Sequence, residues 1–271
     1  MRRLWKSDIG HSAAAIAATA AFVAIAVIAV ARFSGSPAGP AGFAVQARPP
    51  GARRSVSPGR FDARKTAMPH SGTTMLAAVR GTSPRYAAPG VRAPGEVPAT
   101  WCGVQSVLPV VATRPHWVEV RLAQRPNGST AWLPAGDVTL SSTRYLITID
   151  LATMRLALYS DGRQVFSAPA GIGSVTDPTP TGHYFVALTE PSPRPNPGYG
   201  PFVLVTSAHS QATSDRESPG DAIVAIHGPL GDDSPIGTTG ARISHDSIRL
   251  HVPAFLKLRV VPPGTPINIF N

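Results

Sequence analysis

The chain has 271 residues, a formal net charge of +10 and a single cysteine. The excess charge lies in one part of it: residues 1–33 carry four basic side chains against Asp8, residues 34–100 carry nine against Asp62 and Glu96, and residues 101–271 carry twelve of each sign. A neutral folded half argues against nucleic acid as a partner, because that reading wants a basic patch on the folded domain, and one cysteine excludes an internal disulfide and any cysteine-based metal site.

The N-terminus reads as a membrane signal. MRRLWK supplies positive charge, and Ala13 to Ala31 is a nineteen-residue apolar run broken only by Thr19. That length spans a bilayer core, and the preceding charge predicts a cytoplasmic N-terminus with the remainder exported. A retained single-pass anchor over 13–31 is the reading preferred for residues 1–33; Ala29-Val30-Ala31 leaves signal cleavage and secretion as the alternative. Residues 34–100 hold ten prolines with much Gly, Ala, Ser and Arg, so a disordered, basic stalk is expected there. Its charge suits an anionic polymer of the cell envelope.

Strand signals start at Trp101. VLPVVAT, HWVEVRLA and TAWLP are short apolar runs, with Asn127-Gly128 as a hairpin signal between the last two. Trp117 and Trp132 are expected in the core of a small β unit over 101–142, and Cys102, in TWCGVQ, as a buried thiol. Residues 143–271 continue as strands: RYLITIDL, RLALYSDGRQVFSA with Asp161-Gly162 as a turn, GHYFVAL, PFVLVTS, AIVAIHG and a closing TPINIF. Only HVPAFLKL reads as a helix, with Pro253 in its first turn. The long loops TEPSPRPNPGYG and AHSQATSDRESPGD suggest binding loops.

Two histidines stand out. His227 ends the strand AIVAI, and His245 lies in ISHDSIRL; together they bracket a glycine-rich segment. Acyl transfer needs a nucleophile, a base and oxyanion donors. His227 fits the base, Ser247 or Ser244 the nucleophile, and the backbone around 246–248 the donors. His209, His227 and His245 lack the short spacings of zinc ligands, so neither metal nor cofactor is expected.

The pieces YLITIDLATMRLALYSDG, DPTPTGHYF, YGPFVL, SAHS, IHG and ISHDSIRL, in this order, resemble the YkuD-type catalytic domain of the L,D-transpeptidases, which cross-link peptidoglycan. WVEVRLAQRPNGSTAWLPAGDV resembles the SH3-like unit that precedes this domain in many members. The resemblance implies a mainly β fold: an L,D-transpeptidase-like β-sandwich with one or two short helices. Before it would come a small SH3-like β unit, the stalk and the transmembrane helix. It also implies peptidoglycan stem peptides as partners. The family's signature, Ser-His-Gly-Cys-Ile/Val-Arg, uses its cysteine as nucleophile. Carried over, the base is His227, the serine–histidine pair is Ser244-His245 and the arginine is Arg249. The glycine has become Asp246 and the cysteine Ser247. The distance from His227 to Ser247 is a few residues longer than usual, as an insertion around GPLGDDSP would make it.

Those two changes bear on mechanism. A thiol is partly ionised at neutral pH, whereas a hydroxyl needs a well-aligned base, and a misplacement of about 1 Å costs roughly 100-fold. Asp246 adds a carboxylate beside the point where negative charge would develop. Three readings remain: a degenerate member that binds wall peptide or a partner protein, an active acyl transferase or hydrolase with Ser247 as nucleophile and His227 as base, and a non-catalytic envelope scaffold.

Overall fold

The computed structural model describes residues 72–192, 197–210, 222–238 and 241–271. The anchor expected over 13–31 and the stalk as far as residue 71 lie outside the described residues. Among those described, no helix is long and apolar enough to cross a membrane.

Nine strands precede residue 144: β1 (Thr74–Val79), β2 (Ser83–Ala88), β3 (Val91–Val97), β4 (Thr100–Trp101), β5 (Val104–Gln105), β6 (Val107–Arg114), β7 (Trp117–Arg121), β8 (Thr130–Pro134) and β9 (Val138–Thr143). Seven of them make one sheet in the order β3-β2-β8-β7-β6-β1-β9, and β4 pairs with β5 in a small separate hairpin. This corrects the stalk expected over 34–100, because residues 74–97 are sheet. The reason is physical. Leu76, Ala77 and Val79 are buried and offset the ordering entropy of β1. The buried Ser83 hydroxyl donates to Asp137 at 2.6 Å. Pro94 falls in β3, an edge strand, where a missing N–H is tolerated.

Alternation along β7 and β8 sorts their side chains. Val118, Val120, Ala131 and Leu133 face the core, whereas Trp117 and Trp132 are half-exposed on the opposite face. There Trp117 meets Tyr86 edge-on at 4.7 Å, and Arg114 lies over Trp132. The two tryptophans do share a face, as expected, but it is not the core. Cys102 is also corrected: it is exposed, in the β4–β5 turn at φ 49°.

From residue 145 run β10 (Tyr145–Asp150), β11 (Arg155–Ser160), β12 (Arg163–Pro169), β13 (Ile172–Gly173), β14 (Gly182–Pro191), β15 (Phe202–His209), β16 (Ile223–His227), β17 (Arg242–Ser244) and β18 (Ile248–Arg249). The helix α1 (Val252–Leu256) and β19 (Pro266–Phe270) follow. Eight strands form a sheet ordered β12-β11-β10-β19-β14-β15-β16-β18, with β13 and β17 paired beside it. Most neighbours are antiparallel, but β19 joins β10, and β18 joins β16, in parallel. The short helix seats Phe255 in the core, stacked on Phe202 at 4.3 Å. Among the described residues, the fold is mainly β with one short α-helix.

β14 serves both cores. Tyr184 and Val186 point into the cluster of the second domain, and Phe185 and Ala187 point into that of the first. The contact continues at Gly264, where φ is 84° and an added Cβ would meet Val107 and Leu76 at 2.9–3.1 Å. Only glycine permits that approach in that conformation.

Candidate functional site

The site is built where β16 and β18 run side by side. Their register sets Ile226 beside Ile248 and His227 beside Arg249. Residues 22 positions apart in sequence are thus fixed on adjacent strands.

His227 is buried. Its ring lies edge-on to Tyr199 at 4.9 Å, and Nδ1 is 2.7 Å from the Gly228 carbonyl. A carbonyl only accepts, so Nδ1 carries the proton and Nε2 holds the lone pair. Burial lowers the imidazole to about 4; the Gly228 carbonyl raises it, and Arg249 lowers it further. The neutral ring therefore prevails at pH 7. Gly228 itself packs against the Gly198–Tyr199 backbone so closely that a Cβ would fall 2.7 Å from the Gly198 carbonyl oxygen, and its N–H donates to Tyr199 O at 2.8 Å.

Ser244, Asp246 and Ser247 form a self-braced turn. The Ser244 hydroxyl donates to the Ser247 carbonyl at 2.5 Å and accepts the Asp246 N–H at 3.2 Å. Thr179 donates to the Asp246 carbonyl at 2.7 Å and accepts from Gly173 N–H at 2.9 Å. Asp246 is buried and stands at φ 154°, in the region that favours glycine. Such a conformation costs about 1–3 kcal/mol for other residues. It is the position at which the resemblance places the family's glycine.

The Ser247 hydroxyl donates to Asp246 Oδ1 at 3.3 Å and receives the Ala225 N–H at 3.3 Å. Among the described residues these are its two partners, so the structure joins Ser247 to Asp246 and not to His227. His245 is exposed, and its charge bears on Asp246. Arg249 is buried, paired with Asp232, and Asp233 pairs with His251 at 3.0 Å. Both carboxylates of the glycine-rich segment thus tie it to residues just after the serine. Arg249 plays the loop-holding part by this pairing, as a buried guanidinium does when it has a carboxylate partner.

Burial raises the Asp246 carboxyl to about 6; hydrogen bonds from Ser210 and Ser247 and the charge of His245 oppose that, and Asp177 adds to it. Thr179 and Ser210 were missed in the sequence. Both come from segments quoted for the resemblance, DPTPTGHYF and SAHS, but neither segment carries a local cue that its hydroxyl reaches the serine turn.

The two shifts make opposite claims on stability. His227 is near 4 folded against 6.5 unfolded, so it destabilises the fold as pH falls through that window. Asp246 is near 6 folded against 3.8 unfolded, so it destabilises the fold as pH rises through its own window. Between pH 4 and 6 the two effects oppose one another. Relative to the parent protein, His227→Gln is expected to lose stability more steeply as pH rises from 4 to 6, and Asp246→Asn to gain it. Urea midpoints across that range check this; slopes equal to the parent's in both variants would show the shifts to be absent.

A model of the YkuD family, described as the L,D-transpeptidase catalytic domain, matches residues 144–269. This part of the chain is a YkuD domain. Solved structures similar to the chain include an Enterococcus faecium L,D-transpeptidase in a cysteine-to-serine mutant form, at 21% identity over 46% of this chain and 49% of that one, with a TM-score of 0.34. An L,D-transpeptidase from Mycobacterium smegmatis is 17% identical over 58% of this chain and 91% of that one, with a TM-score of 0.36. L,D-transpeptidase 3 from Mycobacterium tuberculosis, in complex with a faropenem-derived adduct, is 14% identical over 58% and 92%, with a TM-score of 0.37. The chain spans about half the length of the Enterococcus structure. No curated protein matches it. The YkuD domain holds all six residues singled out in the sequence: His227, Ser244, His245, Asp246, Ser247 and Arg249.

Proposed function

We propose that the chain is a cell-envelope protein whose YkuD domain binds peptidoglycan stem peptides and does not perform thiol acyl transfer. One observation carries this reading. At the nucleophile position stands a hydroxyl, Ser247, engaged by Asp246 and the Ala225 amide, while His227 gives its Nδ1–H to Gly228. A hydroxyl must lose its proton to an aligned base during attack, and among the described residues its hydrogen bonds go to Asp246 and Ala225, not to the histidine that the family resemblance assigns as base. The proposal includes anchorage through residues 13–31 and a basic stretch that attracts anionic envelope polymer; residues 34–71 carry six basic side chains against Asp62. Fluorescence microscopy of a tagged chain locates it, and release into the medium would replace the anchor with a cleaved signal.

A second reading has support in the Ser247–Asp246 contact, which gives the hydroxyl a proton acceptor of its own and permits slow acylation of Ser247. One experiment separates the two. The chain is incubated with tetrapeptide muropeptides while free D-alanine, the mass of the protein and binding heat are followed. The expected result is measurable binding, at least tenfold weaker in His227→Gln or Arg249→Lys, with no D-alanine released. An acyl adduct that disappears in Ser247→Ala would establish the second reading. Absence of both binding and adduct would leave a scaffold.

A further inference from the structure

Asn127, a side chain of the first domain, reaches the strand end that leads to the serine turn. Asn127, in the loop between β7 and β8, donates its amide to the His209 carbonyl at 2.8 Å and accepts the His209 N–H at 2.9 Å. A primary amide carries one donor edge and one acceptor, so Asn127 acts on the end of β15 as an extra backbone rung would. The next residue, Ser210, is fully buried; its N–H donates to Ala222 O at 2.8 Å, and its side chain hydrogen-bonds the Asp246 carboxyl. Asp246 in turn accepts from Ser247. Hydrogen bonds, joined by the covalent step from His209 to Ser210, thus link the first domain to the hydroxyl at the nucleophile position.

We infer that Asn127 is a positioning residue, through which the first domain sets the placement of Asp246 and Ser247 by clamping His209 and Ser210. The inference rests on the reading of that pair as the working end of the cleft. It makes the first domain part of the site rather than a separate module carried beside it. Strand ends open more readily than strand centres, and β15 ends at His209. The Asn127 rung holds the last peptide of that strand in place, so that Ser210 meets the carboxylate.

The groups facing Asp246 are the hydroxyls of Ser210 and Ser247 and the charges of His245 and Asp177. Since the Ser210 bond lowers the Asp246 titration midpoint, loosening it must raise that midpoint. Carboxyl carbon NMR on the full chain, without ligand, reads this directly. Asn127→Ala is expected to move the midpoint up by on the order of half a pH unit, and Ser210→Ala to do the same. The double variant should move it no further than Ser210→Ala alone. Asn127→Asp keeps the acceptor for the His209 N–H and should fall between Asn127→Ala and the parent; it also serves if Asn127→Ala fails to fold. An Asn127→Ala protein whose Asp246 midpoint and amide exchange at residues 209, 210 and 246 match the parent's would overturn the clamp. Because no ligand is present, that outcome is distinct from a failure of stem-peptide binding, which would overturn the reading above and leave the clamp intact.

Discussion

Asp246→Gly combined with Ser247→Cys, in a Cys102→Ser background, is expected to react with iodoacetamide at pH 7 at least about tenfold faster than Ser247→Cys alone. The thiolate is the reactive form, and each unit of thiol pKa changes its fraction about tenfold at this pH. In the single variant the new sulfur lies beside the Asp246 carboxylate, which accepts the Ser247 hydroxyl at 3.3 Å. That charge disfavours a second negative charge next to it. With glycine in its place, the sulfur keeps the Ala225 N–H and loses the opposing carboxylate. Glycine also relieves the φ of 154°. The Cys102 substitution removes the chain's other thiol, which is exposed and whose own pKa is raised by burial and then by Glu190. Equal rates in two folded variants would show that Asp246 does not control the chemistry at position 247. A faster double variant should also form acyl adducts with stem peptide, detected as a mass increase lost on reversion to Ser247.

Phe185→Ala is expected to destabilise the folded chain by about 3–5 kcal/mol, lowering its melting temperature by roughly 10 °C or more. Phe185 is 1% exposed and belongs by sequence to β14, yet its ring lies in the cluster of the first domain with Val118, Val120 and Leu133. Truncation leaves a cavity that rigid strands on both sides cannot close. The effect should appear in both halves at once, so that circular dichroism and the tryptophan fluorescence of Trp101, Trp117 and Trp132 fall in one transition. Two separate transitions, with only one of them shifted, would show that the domains do not share this core.

Much of the second domain is legible in the sequence because its strands are apolar runs closed by glycine, proline or polar residues. Asp161-Gly162 was read as a two-residue turn, and both residues take positive φ, 52° and 76°, as a hairpin of the right hand of twist requires. HVPAFLKL was read as a helix, and α1 begins there. The first domain was half hidden: Leu76, Ala77 and Val79 are a short apolar run within a long stretch rich in proline and arginine, and averaging over that stretch masks them. Trp117 and Trp132 misled because large aromatics ordinarily go inside, whereas here the alternation of β7 and β8 gives the inner face to Val118, Val120, Ala131 and Leu133.

At the site, AIVAIHG was readable as a buried strand, whereas IRL, which forms the short strand paired with it, lay inside a segment read only as polar. The partner of Ser247 was not readable. Adjacent side chains in an extended strand point to opposite faces, so nothing in DS suggests contact between the two. The unusual φ of Asp246 bends the backbone and brings them to one side. Thr179, in the loop between β13 and β14, and Ser210, just past the end of β15, arrive by tertiary folding alone, beyond the reach of local pattern.

The ladder between β16 and β18 separates the geometry of the cleft from the length of the chain that connects its two sides. His227 and Arg249 are held by strand pairing, and the excursion between them is moored by Asp232 and Asp233 at its start. Beyond those two anchors, from Ser234 to Thr238, the backbone turns with Gly237 at φ 90° and buries Ile236, while Ser234, Gly237 and Thr238 are exposed. The excursion is fixed again at its far end, where Ala241 accepts the Ile172 N–H and β17 pairs with β13, so its exposed residues, such as Ser234 and Thr238, are the natural splice points for a reporter peptide that leaves the histidine and the serine turn in place.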